Sequence, residues 1–152
     1  MTAADLPAVA ALEDACHAPL PPEGESLFAE RLALFPRGCF VAADAAGQAA
    51  YAVSHPWRIG APPKLGQTLG ALPRAPDCLH LHDIAVAARG RGHGLVGSAL
   101  ALLTAVARDA GLGRISLVSV HGTEGLWARH GFRRAGAAMQ GYGDAVYMIR
   151  EI

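Results

Sequence analysis

The chain has 152 residues, and its 13 Lys plus Arg balance 13 Asp plus Glu for a formal net charge of zero. Bulk attraction to nucleic acid or to an anionic membrane surface is therefore not expected, and any useful positive charge must be local. The length suits one globular domain, residues 1–152, with a core that needs no metal or disulfide. Cys16, Cys39 and Cys78 are odd in number and lack CxxC spacing, which argues against a disulfide framework or zinc ribbon. The first residues lack the basic start and apolar run of a signal peptide, and no segment is long enough to span a bilayer, so a cytoplasmic protein is expected.

Leu6, Val9, Leu12 and Cys16 recur at helical spacing behind Asp5, a capping residue type, and predict an amphipathic helix over about 5–17. A second helix is expected from about Glu25, with Phe28, Leu32 and Phe35 on one stripe and Pro36 ending it. Cys39–Ala43 and Gln48–Ser54 flank Asp44-Ala-Ala-Gly47, a pattern for two antiparallel strands joined by a tight turn. From Trp57 to Asp77 prolines and glycines interrupt any periodicity, and a connection of that length is expected to be functional or mobile. A core strand over Cys78–Val86 follows, then a helix from about His93 to Ala110 with Leu95, Ala99, Leu102 and Val106 on one face and Gly111 as its stop. Arg114–Val120 reads as a strand, Thr123–His130 as a short helix, and Arg133–Met139 and Ala145–Glu151 as two last strands.

The core strand runs straight into Arg89-Gly-Arg-Gly-His-Gly94 at a helix start. Glycines let backbone amides approach a ligand, the helix terminus adds unpaired N–H groups and positive potential, and arginines neutralise phosphate oxygens. Together these describe a pyrophosphate seat. Gly92-His-Gly94-Leu-Val-Gly97 also fits the G-x-G-x-x-G of dinucleotide-binding folds. That fold places its motif after the first strand of a parallel sheet and an acidic residue at the end of the next, yet Val118–Val120 holds none.

Arg89-x-x-Gly92-x-Gly94 resembles the R/Q-x-x-G-x-G/A motif of the GNAT superfamily of acyl-CoA-dependent N-acetyltransferases, and Leu126-Trp-Ala-Arg-His-Gly-Phe132 resembles that family's second signature. The order of elements is similar along nearly the whole chain. Phe35-Pro36, Ser54-His-Pro-Trp57, His82-Asp83 and Tyr142-Gly143 resemble a bacterial subgroup. The resemblance implies a mixed α/β fold: a central, twisted, mostly antiparallel sheet with splayed core strands, flanked by helices. It also implies direct transfer of an acetyl group from acetyl-CoA to a primary amine, carried by a small molecule, a peptide or a protein, without a metal. A non-catalytic acyl-CoA-binding or regulatory module is the other reading, and the chain would act as a monomer or homodimer without nucleic acid or membrane.

On that resemblance Ile84, Ala85 and Val86 form the cofactor-pairing strand, the backbone of Arg91, Gly92, His93 and Gly94 holds the pyrophosphate beside Arg89 and Gly90, and an amide near Ile84 or Val86 polarises the thioester carbonyl. The amine arrives protonated, so the reaction needs a proton acceptor, for which His82 and Asp83 are candidates, and a donor to the departing thiolate. Where the family commonly carries a tyrosine as donor this chain has Trp127, an indole with no practical acidity. Tyr142 and His121 are the substitutes, and Trp127 is expected to pack against cofactor or core. By strand alternation His80 and His82 point to one side and Asp83 to the other. His80-x-His82 has no third ligand nearby in sequence, so no metal site is expected.

Overall fold

The computed structural model describes residues 1–18, 21–136 and 145–152. Within them four α-helices, α1 (Leu6–His17), α2 (Glu25–Leu34), α3 (Leu95–Asp109) and α4 (Glu124–Arg129), accompany six strands. These are β1 (Cys39–Asp44), β2 (Gly47–Trp57), β3 (Cys78–Val86), β4 (Arg114–Ser119), β5 (Arg133–Arg134) and β6 (Val146–Glu151). Among the described residues they form one mixed sheet of order β1-β2-β3-β4-β6-β5, in which β3 and β4 are the parallel neighbours. A parallel pair needs a crossover, and α3 supplies it.

The expected elements are present with shifted edges. Asp5 turns its carboxylate back, accepting from the Thr2 backbone N–H at 2.6 Å, instead of capping α1 with its side chain. β2 runs past Ser54 to Trp57, so the long connection begins at 58. The expected strand from Arg133 shows two paired residues, and its end at 137–139 lies outside the described residues.

Two apolar layers sandwich the sheet. On one face α3 packs Leu100, Leu103 and Ala107 against Leu79, Leu81, Ile115 and Leu117, joined by Trp127, Phe132 and Met148. This corrects the expected α3 stripe: Leu102 is 49 % exposed. Apolar residues ring most of this helix, so local spacing leaves its inward face ambiguous. On the other face α1 and α2 bury Leu6, Val9 and Phe28 against Cys39, Tyr51, Val53 and Ala85. Cys39 and Cys78 are buried, and desolvation pushes both thiols up to about 11, which makes them inert packing residues.

The turn into β1 is tight enough to make one glycine obligatory. A Cβ on Gly38 would stand 2.3 Å from the Ser54 carbonyl oxygen and 2.6 Å from Phe35 Cδ1 and Ser54 Oγ. The Ser54 hydroxyl also donates to the Gly38 carbonyl at 3.0 Å. Gly38→Ala is expected to lower the unfolding free energy by about 3 kcal/mol, read from a urea titration, because backbone cannot step aside as a flexible side chain can. An unchanged midpoint would show that this junction relaxes freely.

Candidate active site

Two departures from regular sheet create the site. First, β3 and β4 pair only from Leu79–Leu81 to Ile115–Leu117, although β3 continues to Val86. Ile84, Ala85 and Val86 keep β2 on one side and turn an open edge to the space beside β4. Second, the β2–β3 ladder carries a bulge: Val53 faces Asp83 and Ser54 faces Leu81, so His82 is an extra residue. A bulge changes the phase of side-chain alternation. His82 and the adjacent Asp83 therefore both reach toward the α1–α2 face, His82 to Glu23 and Asp83 to Tyr51 and His17. This corrects the expectation that Asp83 points away from His82.

Between the splayed strands lies a cleft of about 1620 Å³, larger than the several hundred Å³ typical of a single small ligand. At one end it is lined by Gly90, Arg91, Gly92 and Gly94, in the middle by Ile84–Val86 and Trp127, and at the other by Glu13, Glu23 and the loop around Pro62. Gly92 and Gly94 have φ of +80° and +73°, a backbone region that glycine enters without strain. Gly94 is the residue from which α3 starts, so the first amides of that 15-residue helix face the turn without an i−4 partner.

Of the two arginines expected at the phosphates, Arg91 lines the cleft. Arg89 has a different task. Its Nε lies 3.2 Å from Asp44 Oδ2 and its Nη2 donates to the Gln48 carbonyl, so its guanidinium ties the turn to the β1–β2 hairpin. His93 is not among the residues lining the cleft. Trp127 lines it while 6 % exposed; its indole N–H donates to Thr123 Oγ1 at 3.2 Å and its ring meets Phe132 edge-on. Tyr142 lies outside the described residues.

At the α1–α2 end the polar groups form two connected sets. Asp83 accepts from the Tyr51 hydroxyl at 2.5 Å and from the Ile84 amide at 2.8 Å, and its Oδ1 is 3.0 Å from His17 Nε2. The Asp83 hydrogen bond lifts His17 above the ordinary imidazole range against the opposing effect of burial, with the charges of Asp83, Glu13 and Glu23 adding to it. Burial, aided by the Asp83 charge, drives the Tyr51 phenol far up, so it acts only as a hydrogen-bond donor. His17 stacks on His121 with ring centroids 6.0 Å apart. Both rings line the cleft, one from α1 and one from the end of β4, where His121 has a φ of +54°.

The second set is centred on Glu23, whose Oε2 lies 2.9 Å from His82 Nε2. Arg31, fully buried, stands behind it at 3.4 Å. Glu13 accepts from the Glu23 and Gly24 amides at 2.6 and 3.1 Å, and burial raises its carboxyl above the usual range. His80, expected as a core or pocket residue, is bonded to Ser116 Oγ at 2.9 Å, and its ring lies 5.7 Å from that of His55. Among the described residues no group of three His, Cys, Asp or Glu side chains is arranged to hold a metal ion.

Sequence reading misses Glu23, Arg31, Tyr51 and His17. The partners that tie them to the site lie tens of residues away: 59 for Glu23 with His82, 36 for Arg31 with Gln67 and 32 for Tyr51 with Asp83. The one local signal is a carboxylate set between Pro22 and Gly24, outside either helical stripe.

The model of the GNAT acetyltransferase family matches residues 6–132. The chain belongs to that family. No curated protein matches the sequence. Among solved structures the fold is similar to a GphF GNAT-like decarboxylase in complex with isobutyryl-CoA, at 20 % identity over 99 % of this chain and 96 % of that one, with a TM-score of 0.81. It is also similar to Rv2747 from Mycobacterium tuberculosis in complex with CoA and NLQ, at 17 % identity, 99 % and 96 % coverage and a TM-score of 0.72. The ribosomal-protein-S18-alanine N-acetyltransferase from Escherichia coli matches at 21 % identity, 100 % and 90 % coverage and a TM-score of 0.68. These likenesses establish the fold, and no helix among the described residues is long and apolar enough to cross a membrane.

Proposed function

We propose that this family member transfers the acetyl group of acetyl-CoA directly to a primary amine in the bacterial cytoplasm, with His82 taking the amine's proton. The observation that carries the reading is the open edge of Ile84–Val86, continuous in one cleft with the glycine turn on one side and His82 on the other. Extended pantetheine fits such an edge because it presents amides that can pair with backbone as a strand would. The Arg91–Gly94 turn, with the Arg91 side chain and the first amides of α3, is suited to the pyrophosphate.

The thioester carbonyl then lies along the open edge of β3, where a backbone N–H stabilises the oxyanion of the tetrahedral intermediate. The Ile84 amide is bonded to Asp83 at 2.8 Å, so Val86 is the better placed of the two amides considered. His82 takes one proton from the ammonium, the freed lone pair bonds to the acetyl carbon, and the tetrahedral intermediate collapses as the carbon–sulfur bond breaks, the nitrogen's second surplus proton passing to water. Among the described residues His121 remains the donor for the thiolate, on the cleft wall and stacked on His17. Asp83 is a weaker candidate base than His82, because its oxygens already accept from Tyr51 and the Ile84 amide and lie against His17.

The decarboxylase among the structural neighbours raises a second chemistry on acyl-CoA. Glu13, Glu23 and Asp83 line this end of the cleft against the cations His17 and Lys64, a balance of carboxylates that favours an ammonium over a carboxylate-bearing acyl group. The test is native mass spectrometry with added acetyl-CoA, followed by free-thiol release across a panel of small, peptide and protein amines. One-to-one binding and amine-dependent thiol release are expected. Binding without release from any amine would leave an acyl-CoA-binding module, and no binding would remove the reading altogether.

A further inference from the structure

The long connection between β2 and β3 is not a loose lid. The Glu30 carboxylate accepts from the Leu69 and Gly70 amides at 2.9 and 2.8 Å, Arg31 donates to the Gln67 carbonyl at 3.1 Å, and Trp57 donates to Ala61 at 2.7 Å. Glu23 belongs to the same fastening: its Oε1 accepts from the Gly66 amide at 3.0 Å and lies 3.4 Å from Arg31 Nη2. Its other oxygen is the one on His82. One carboxylate thus joins the wall of the acceptor end to the candidate base.

The chemistry of that carboxylate decides which nitrogen of His82 is available. Burial pushes the Glu23 carboxyl up, but the hydrogen bond from His82, the charges of His82 and Arg31 and the Gly66 amide outweigh it and hold it below the usual range. An ionised carboxylate only accepts hydrogen bonds, so the proton between the two groups sits on His82 Nε2. A neutral His82 then keeps its lone pair on Nδ1, an atom itself buried from solvent and with no hydrogen-bond partner among the described residues, in a side chain 5 % exposed. The orienting group fixes which ring nitrogen can accept a proton, as in other assisted imidazole bases.

We infer that Glu23 is a positioning residue that locks His82 in the Nε2–H tautomer and ties that state to the seating of the 58–77 loop. The inference rests on the acyl-transfer reading, in which Nδ1, buried in the empty site, accepts the amine's proton once the bound acceptor or a water it carries in opens a path to that atom. The Glu23→Gln variant tests it sharply. Arg31 and the Gly66 amide are both donors, so they claim the one amide oxygen, and the NH₂ group is left facing His82 Nε2. Donation to Nε2 forces the proton onto Nδ1, the unproductive tautomer.

Histidine side-chain ¹⁵N NMR of the intact protein, at a pH where His82 is neutral, should show Nε2–H in the native chain and Nδ1–H in Glu23→Gln. Glu23→Gln should also lose about 10²–10⁴-fold in kcat with KM for acetyl-CoA within a few-fold. The double variant Glu23→Gln/His82→Gln should be no slower than His82→Gln alone, since a residue acting through His82 has nothing further to lose. A native His82 carrying its proton on Nδ1 overturns the inference, and that measurement stands even if Glu23→Gln does not fold. So does a folded Glu23→Gln that keeps Nε2–H, or additive losses in the double variant. Should no amine release thiol from the native chain, the acyl-transfer reading fails while the tautomer data still decide the role of Glu23.

Discussion

His82→Gln is expected to lower kcat with amine acceptors by about 10²–10⁴-fold near neutral pH, the range associated with losing a positioned general base. KM for acetyl-CoA should stay within a few-fold, because the glycine turn and the open edge of β3 lie elsewhere in the cleft. Glutamine keeps a polar side chain at the bulge and a partner for Glu23, but it cannot take a proton. Much of the loss should return as the pH approaches the acceptor's own pKa, about 10.4 for a lysine-type amine, since the free amine then needs no base. A variant as active as the native chain at pH 7 would move the proton acceptor to another group, and Asp83 would be the first to examine.

The second large effect is acid sensitivity of the fold. His55 is fully buried, and desolvation followed by the charge of His82 lowers it to about 3. His80 is 3 % exposed and also lies well below the ordinary imidazole range, for the same first reason, burial. Both are neutral in the folded chain, whereas in the unfolded chain each takes a proton near pH 6.5. Their contribution to stability is therefore complete above about pH 6.5 and is lost as pH falls toward the folded values. By pH 5 His55 alone should cost about 2 kcal/mol, 1.5 pH units at 1.36 kcal/mol each, with His80 adding in the same direction. His17 opposes them: its raised value contributes stability that is complete below about pH 6.5 and is lost as pH rises. Urea titrations at pH 7 and pH 5 should show the drop, and His55→Asn should flatten it. Equal stability at the two pH values would mean that water reaches these rings.

Much of this molecule is legible in its residues because local rules govern the parts concerned. Gly92 and Gly94 announce a turn that other residues would strain, and Gly111, with φ of +72°, ends α3 as expected. The order of elements follows from periodicities broken by Pro36, Asp44–Gly47 and the proline-rich connection. What the sequence conceals is non-local. Alternation predicts opposite faces for His82 and Asp83, and the bulge that defeats it depends on how β2 pairs with β3. The 58–77 connection carries the composition of a mobile loop, yet its anchors, Glu23, Glu30 and Arg31, sit 36 to 43 residues away. Arg89 reads as a phosphate ligand by motif, and only the folded hairpin reveals Asp44 as its partner.

The bulge also sets the terms on which this chain can vary. Upstream of it Leu81 belongs to the α3 layer; downstream Ala85 belongs to the α1–α2 layer and Ile84 packs against the α3 layer. Leu81 joined directly to Asp83 would give an unbroken alternation that serves both layers, with every pairing in the ladder preserved. For the sheet, then, residue 82 is supernumerary. A lineage that dropped this one codon would keep the β2–β3 ladder while shedding the proposed base, a short mutational path that would part acyl-CoA binding from the proposed transfer.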